Sequence, residues 1–175
     1  GNDARSFPFK EYKGLDTVQV VEKVAETIDM FRKLGKGCAG LFVDGGGLGA
    51  GVVDMLRRLG YNPIDVNFGG RAADQRFRFR SDEMWGRMKE GLNTLCINNH
   101  KGLIDQLTQR EYGFTLAGNK IQLESKDDMK ARGIASPDIA DALALTYANT
   151  LSPVMEGIFP NKPLMTNYEF DPLEC

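Results

Sequence analysis

The sequence contains few residues of the kinds that build cysteine or histidine sites. Its three cysteines, Cys38, Cys96 and Cys175, form an odd number without a C-x-x-C pair, so neither a disulfide framework nor a zinc cluster is indicated. The single histidine, His100, excludes any site that needs two imidazoles. No Gly-Lys-Ser or Gly-Lys-Thr occurs, which excludes a Walker A nucleotide site.

Long apolar segments and a strong net charge are also missing. No apolar run approaches the ~20 residues that cross a bilayer, and residues 1–8 are too polar for a signal peptide, so we expect no membrane partner. With 22 Lys and Arg against 24 Asp and Glu, the net charge is −2, whereas nucleic-acid-binding domains are usually basic. Any DNA contact is therefore expected from local basic patches or bridging metal ions.

The 175 residues fit one α/β domain, which we place at 1–150, followed by an extended tail at 151–175, where prolines are spaced too closely for a helix. Residues 11–68 follow the order helix, strand, helix, strand, which is typical of a parallel α/β unit. The predicted elements are a strand at 5–12, a helix at 16–35, a strand at 40–44, a helix at 50–59, a strand at 63–68, helices at 81–92 and 102–112, a hairpin at 114–124 with a two-residue turn, a basic helical segment at 126–132 and a helix from 136 or 137 to about 149.

Three carboxylates are candidates for a metal site. Asp44 ends a strand that we predict to be central and covered on both faces, and three glycines follow it. Asp138 and Asp141 are spaced i, i+3, which places them on one face of the last helix. Apolar residues surround Asp141, and a buried carboxylate needs a partner or a metal ion. Oxygen ligands without histidine or cysteine favour Mg²⁺ or Mn²⁺, and two such ions can clamp a phosphoryl displacement.

These features also have other interpretations. Asp138 can be a negative charge at a helix N-terminus, and Asp44 can cap the turn after its strand. Residues 45–50 fit G-x-G-x-x-A, and Asp65 lies twenty residues beyond Gly45, as in a dinucleotide-binding fingerprint. A carboxylate at Asp44 would repel a pyrophosphate, which disfavours this last alternative.

Basic residues cluster in two segments despite the acidic balance. Segment 71–89 has an excess of three positive charges, and a second group lies on the predicted hairpin and just before the Asp138 helix. Either cluster can be a solvated charged face, but the second leads directly into the carboxylate helix and can line a groove for a phosphate backbone. The candidate DNA contacts are Lys126, Lys130, Arg132, Arg76, Arg78 and Arg80.

Four segments, taken in order, point to a known family. They are FVDGGGLG at 42–49 with VDML at 53–56, residues 80–85, LESK at 123–126, and SPDIADAL at 136–143. Together they resemble the C-terminal nuclease domain of the large terminase subunit of tailed bacteriophages and prophages. The resemblance runs from about Leu41 to Ala148, and its last segment is also similar to the carboxylate helix of Holliday-junction resolvases.

The resemblance implies a ribonuclease H-like mixed sheet flanked by helices, and an endonuclease that cuts concatemeric viral DNA during genome packaging. It implies that Asp44, Asp138 and Asp141 are the catalytic carboxylates, that they hold Mg²⁺ or Mn²⁺, two ions in the complete domain, and that Lys126 lies near the DNA phosphates. The implied partners are double-stranded DNA, the portal protein and the small terminase subunit, in the cytoplasm of a bacterial host.

One departure concerns the first strand of the family, which carries the first catalytic aspartate. We expect this chain to start after that strand, with residues 5–12 as the second strand, so that the domain is N-terminally truncated. An exposed sheet edge would then favour dimerisation. Two alternatives stay open, a non-catalytic remnant that binds DNA or the portal and a nucleotide-binding α/β domain.

Overall fold

Helices and short strands alternate along the part of the chain that the structure describes. The computed structural model describes residues 4–151, and the predicted tail from residue 152 onward, including Cys175, lies outside them. No helix in residues 4–151 is long and apolar enough to cross a membrane. The elements are β1 (Ala4–Arg5), α1 (Thr17–Lys33), β2 (Leu41–Asp44), α2 (Gly49–Arg58), β3 (Pro63–Val66), α3 (Arg80–Gly91), β4 (Leu95–Cys96), α4 (Lys101–Gln109), β5 (Tyr112–Phe114), β6 (Ile121–Leu123), α5 (Lys126–Ala131) and α6 (Asp138–Leu145).

The parallel pair β2–β3 carries the first half of the fold, and α2 connects the two strands. The strands pair along their whole length. One face packs against α1 and α2, where Val43 lies against a cluster of buried side chains that includes Val21 and Leu56. The opposite face turns Phe42 and Ile64 toward the core formed by α3, α4 and α6. The predicted order of helix, strand, helix and strand is confirmed.

The position of β2 differs from the sequence prediction. Within residues 4–151, β2 pairs only with β3, while β1 pairs with β4 and β5 pairs with β6. The first three residues of β2 are half-buried. Helices cover both faces of β2 as predicted, but within residues 4–151 it is an edge strand instead of a central one, because no described strand lies along its second edge.

Local chemistry sets both ends of α1. The Asp16 carboxylate accepts the amide of Gln19 at 2.9 Å, and the Asp16 amide donates to the Gln19 side chain at 3.0 Å, which is a capping box. The helix is followed by Gly35, which adopts a φ of 70°, a left-handed conformation that glycine tolerates well. Both ends match the prediction from sequence.

The larger core lies between α3, α4 and α6. Met84 and Leu103 are completely buried, and Met88 is 1% exposed. The ring of Phe77 lies directly against Gly86 of α3, where a Cβ would collide with it. A glycine at this position lets the loop before α3 close onto the helix.

Several predicted elements are shorter in the structure, most clearly the first strand and the last helix, and the strand β4 was not predicted. The strand expected at 5–12 reduces to β1, which pairs in parallel with β4; Pro8 has no amide to donate to a ladder. α6 ends at Leu145 instead of near residue 149. The next amides, up to Ala148, bond three residues back instead of four, so the last turn tightens and the helix stops.

The hairpin β5–β6 is antiparallel as predicted, but its loop is longer than two residues. The Thr115 amide donates to the Lys120 carbonyl at 2.8 Å, which leaves residues 116–119 in the loop. The Thr115 hydroxyl also donates to Ala117 at 2.9 Å and accepts the Lys120 amide at 3.0 Å. These side-chain bonds close the loop around Gly118 and Asn119, which have φ of 87° and 48°.

Candidate functional site

Asp44 stands at the end of β2, on the sheet face that turns toward α6. Side chains alternate between faces along a strand, so Asp44 shares the face of Phe42, which packs in the core containing α6. The Asp44 residue is exposed, and its Oδ1 accepts the Gly46 amide at 3.1 Å. Its second oxygen has no partner among residues 4–151 and is open to a cation.

The glycine loop after Asp44 is filled by neighbouring carboxylate and backbone atoms. A Cβ at Gly45 would collide with the carboxylate of Asp65 on β3, and a Cβ at Gly49 would collide with the Asp44 carbonyl oxygen. The Gly46 amide is already used by Asp44. A pyrophosphate here would meet two carboxylates, so the geometry disfavours the dinucleotide alternative.

Asp141 is a buried carboxylate whose oxygens are all engaged. Its Oδ1 accepts the indole Nε1–H of Trp85 and Nη1 of Arg110, both at 2.9 Å. Its Oδ2 lies 2.9 Å from Nζ of Lys126. The side chains of Asp141 and Arg110 are only 9% and 7% exposed. The partner that burial of this carboxylate requires is therefore supplied by the protein's own cations.

Asp138, one turn earlier on α6, is in the opposite situation. Its side chain is 76% exposed, and its Oδ1 accepts the Ser136 hydroxyl at 2.6 Å and Nζ of Lys126 at 3.5 Å. The other oxygen has no partner among residues 4–151. The amides that follow it are capped by Gln106, which accepts from Ile139 at 2.9 Å. Asp138 is thus free to take an external cation.

Lys126 lies between the two helix carboxylates and joins them. Burial alone would lower the pKa of its ammonium group, but the hydrogen bond to Asp141 and the charges of Asp141 and Asp138 outweigh burial and raise the pKa above its ordinary value. The side chain is still 53% exposed. Lys126 therefore carries a permanent positive charge at the surface of the site.

The three predicted carboxylates do not form one ready-made cluster. Among residues 4–151, no group of three or more His, Cys, Asp or Glu side chains is placed to hold a metal ion. Asp138 and Asp141 meet around Lys126, and Asp44 ends a strand that contacts α6. The open oxygens of Asp44 and Asp138 suit Mg²⁺ or Mn²⁺ in kind, although the described ligands are fewer than such an ion needs.

Two predicted DNA contacts are engaged within the protein. Arg132 donates to both oxygens of Glu124, at 2.7 and 2.6 Å, and these bonds lower the pKa of that carboxyl. The side chain of Arg80 is 19% exposed; it lies 3.0 Å from Glu83 and also donates to the Ala148 carbonyl. Contact of Arg132 and Arg80 with DNA stays a prediction, beside the structural role that these bonds give them.

Besides Lys126, three further predicted DNA contacts face solvent. The Arg76 side chain is 63% exposed and lies 2.7 Å from Asp74. Arg78 is exposed and donates to the Gln122 side chain at 2.6 Å. Lys130 is exposed and has no ion pair in the described part of the chain. Arg78 and Lys130 are therefore the most available of these cations.

The sequence did not single out Arg110. It lies 31 residues from Asp141 in the chain, and it also donates to the Glu124 carbonyl at 3.2 Å and stacks over Trp85 at 4.8 Å. The requirement that a buried carboxylate be paired was the only signal for it. That signal predicts that a cation exists without indicating which of 22 Lys and Arg residues supplies it.

Solved structures of a viral nuclease domain share this fold. A lysine-to-alanine variant of the nuclease domain of the large terminase subunit gp2 of bacterial virus Sf6, solved with manganese, matches with a TM-score of 0.67 at 17% identity, over 86% of this chain and 81% of that chain. A variant from bacteriophage Sf6 solved with calcium gives 0.59 at 18% identity, over 75% and 73%. A further structure of the Sf6 domain gives 0.57 at 19% identity, over 75% and 73%.

Comparisons of the sequence with family models and with curated proteins give no match. At 17% to 19% identity, the likeness to the Sf6 structures is one of fold. The chain therefore has the ribonuclease H-like α/β fold of the nuclease domain of a phage large terminase subunit, as the resemblance of its sequence implied.

Proposed function

We propose that this chain is the nuclease domain of a phage large terminase subunit, a divalent-metal-dependent endonuclease that cuts concatemeric viral DNA during genome packaging. One observation carries the proposal: α6 presents Asp138 and Asp141 around Lys126 and lies against the strand that ends in Asp44. Support comes from the shared fold with a nuclease domain solved with manganese and with calcium.

The carboxylates divide into two kinds by their exposure. Asp44 and Asp138 each keep an open oxygen and would hold Mg²⁺ or Mn²⁺, which supplies Lewis-acid stabilisation of a phosphodiester and acidifies bound water. Asp141 is held by three donors, so we assign it to positioning Lys126 beside Asp138. Direct ligation by Asp141, as the sequence suggested, would require Lys126 to leave it.

The basic residues next to the carboxylates would bind the backbone of double-stranded DNA. Lys126, Lys130 and Arg78 are the accessible cations on or near α5 and β6, and binding through them should weaken with salt because phosphate contacts release counterions. Arg76, Arg80 and Arg132 contribute less, because carboxylates of the protein already pair with them. The portal protein, the small terminase subunit, a second copy at the free edge of β2, and the bacterial cytoplasm as location stay predictions.

The test is nicking of supercoiled plasmid in Mn²⁺ by the purified chain. Because few metal ligands converge among the described residues, we expect slow nicking that a chelator abolishes. Asp44→Asn and Asp138→Asn should each remove it. Asp65→Asn is the matched control, because this carboxylate lies on the neighbouring strand but on the opposite face of the sheet. Nicking that survives both Asp44→Asn and Asp138→Asn would contradict the assignment.

A second candidate function is a non-catalytic DNA-binding domain, in line with the absence of a three-ligand cluster among residues 4–151. It predicts no nicking under any metal, with salt-sensitive DNA binding that is weakened by Lys130→Ala. Gel-shift titration of the chain, run beside the plasmid assay, distinguishes the two candidates. If the chain neither nicks nor binds DNA, both candidates are wrong.

A further inference from the structure

The hairpin β5–β6 has a free edge along β5, whose three residues are all exposed. Among residues 4–151, β5 pairs only with β6. In an antiparallel pair, the backbone groups of every second residue point toward the partner strand, and those of the residues between them point away. The Glu111 carbonyl and the Thr115 amide both bond across the hairpin, at 2.9 and 2.8 Å. The amides and carbonyls of Tyr112 and Phe114 therefore point toward the free edge.

The side chains of Tyr112 and Phe114 lie on one face of this strand. They pair in register with apolar residues of β6, and residues that pair across two strands turn their side chains to the same face. Tyr112 is 56% and Phe114 is 61% exposed, and their rings meet edge to face with centroids 6.2 Å apart. Glu111 and Gly113 occupy the alternate positions and belong to the opposite face. The free edge thus has one aromatic face, separate from the acidic residues of the hairpin.

Gly113, at the centre of β5, has no contact in the described part of the chain that requires a glycine. Its backbone is not left-handed, and a Cβ at this position would meet no atom of residues 4–151 within 4 Å. Glycine weakens a strand, and inside a strand it often marks a place where another backbone approaches closely. We therefore take residue 113 as the point at which a second strand would approach β5.

We propose that two copies of this chain pair through the free edges of β5, in an antiparallel register centred on Gly113. A two-fold axis at residue 113 places Tyr112 of each copy opposite Phe114 of the other. The outward amides and carbonyls of these two residues then form four hydrogen bonds between the copies. The two Gly113 residues form the closer pair without hydrogen bonds, with Cα atoms about 4.5 Å apart. This dimer goes beyond the proposed nuclease function and does not depend on it.

The side chains of the two copies are complementary in this register. Each exposed Tyr112 ring stands opposite a Phe114 ring, and aromatic cross-strand pairs stabilise a sheet. On the other face, Glu111 stands opposite Thr115, so that no charge faces a like charge. The two Glu111 carboxylates lie at opposite ends of the paired segment, about 14 Å apart along four residues, and each lies 3.1 Å from Arg132 of its own copy. The acidic residues therefore do not oppose the pairing.

The first test is disulfide formation between two copies of Gly113→Cys, in a full chain whose own Cys38, Cys96 and Cys175 are replaced by serine. A Cα separation of about 4.5 Å is one that a disulfide spans, and the new side chain enters open space in the single chain. We expect mild oxidation to link most of this variant into dimers, seen by non-reducing gel electrophoresis. Glu111→Cys in the same background is the matched control. Its thiols would lie about 14 Å apart, which is too far for a disulfide, so it should stay unlinked.

The second test is sedimentation equilibrium of the unmodified full chain, which measures the association without a covalent link. One short strand from each copy makes a small interface, below roughly 1,200 Å², so we expect a dissociation constant of about 10–100 µM. Phe114→Ser should weaken the association at least about tenfold. Leu34→Ser is the matched control, because it replaces an apolar side chain of similar exposure, 64%, just after α1, and it should leave the association unchanged.

The outcomes decide for or against this dimer, once circular dichroism has established that each variant is folded. Failure of Gly113→Cys to cross-link, or equal cross-linking of Glu111→Cys, would overturn the proposal. A chain that stays monomeric up to about 1 mM would overturn it as well. A dimer that survives Phe114→Ser would place the contact at another surface, such as the free edge of β2, and would also contradict the proposal. Loss of dimerisation in Phe114→Ser with plasmid nicking retained would support it independently of the nuclease assignment.

Discussion

Removal of the Asp141 carboxylate should separate a structural role from a metal-binding one. In Asp141→Ala, the guanidinium of Arg110 loses its counterion while its side chain is 7% exposed. It keeps only two longer bonds to the Glu124 carbonyl, at 3.3 and 3.2 Å. The Trp85 indole N–H also loses its acceptor inside the core. Lys126, at 53% exposure, can recover its hydration.

The loss of folding stability expected for Asp141→Ala follows from these exposed fractions. Breaking a buried ion pair from one side costs about 3–5 kcal/mol, and an orphaned buried donor costs about 1–3 kcal/mol. The exposed pair with Lys126 adds at most about 1 kcal/mol. These three contributions share one carboxylate and are not additive, so we expect Asp141→Ala to lower the free energy of unfolding by about 4 kcal/mol. For a domain of this size that corresponds to a Tm lower by about 8–16 °C.

Asp138→Ala is the matched comparison, because its side chain is 76% exposed. Removal of the Asp138 carboxylate should lower the free energy of unfolding by no more than about 1 kcal/mol while abolishing nicking. Both variants are compared by thermal denaturation and by plasmid nicking. Replacing Arg110 by Met together with Asp141 by Leu should recover part of the stability lost in Asp141→Ala, because no buried charge is then left unpaired. Equal Tm values for Asp141→Ala and Asp138→Ala would refute the assignment of Asp141 as a buried, paired carboxylate.

Two further perturbations test the packing and a surface ion pair. Gly86→Ala should lower the free energy of unfolding by about 1–3 kcal/mol, measured by urea denaturation, because the new methyl group overpacks against Phe77. Gly113→Ala, whose methyl group enters open space, is the control and should not lower it. Equal stability of the two variants would contradict the close contact at Gly86. Hydrogen bonds from Arg132 lower the pKa of Glu124 below its ordinary 4.5, so this pair stabilises the fold above that pH and ceases to do so as the pH falls through the lowered pKa. Glu124→Gln should therefore lower the Tm at neutral pH and converge with the wild type in acid; a deficit that persists in acid would contradict this pH dependence.

Features set by short-range chemistry could be predicted from the sequence. Asp16 and Gly35 mark the ends of α1 through a capping box and a left-handed glycine, and the i, i+3 spacing of Asp138 and Asp141 does place both on α6. The order of α1, β2, α2 and β3 followed from hydrophobic patterns long enough to be distinct. These predictions needed only residues within one or two turns of each other.

Features set by partners far apart in the chain could not be predicted. β1 and β4 have two residues each and pair across 91 positions, so neither carries a pattern of its own. Arg110 was not recognised as the partner of Asp141, and the sequence could not show that Arg132 would be taken by Glu124. A charge in a sequence has many possible partners, and tertiary packing alone decides whether it meets solvent, a carboxylate or a ligand.

Because the Trp85 indole is hydrogen-bonded to Asp141, the intrinsic fluorescence of Trp85 reports on the site formed by Asp141 and Lys126. Trp85 is the single tryptophan of the 175 residues, it is 7% exposed, and its indole N–H points at the carboxylate that also holds Lys126. Its emission therefore originates from one known place in the molecule. When Lys126 shifts toward an arriving phosphate or away from an arriving cation, the electric field at that indole changes, and occupancy of the site can be followed optically without any attached dye.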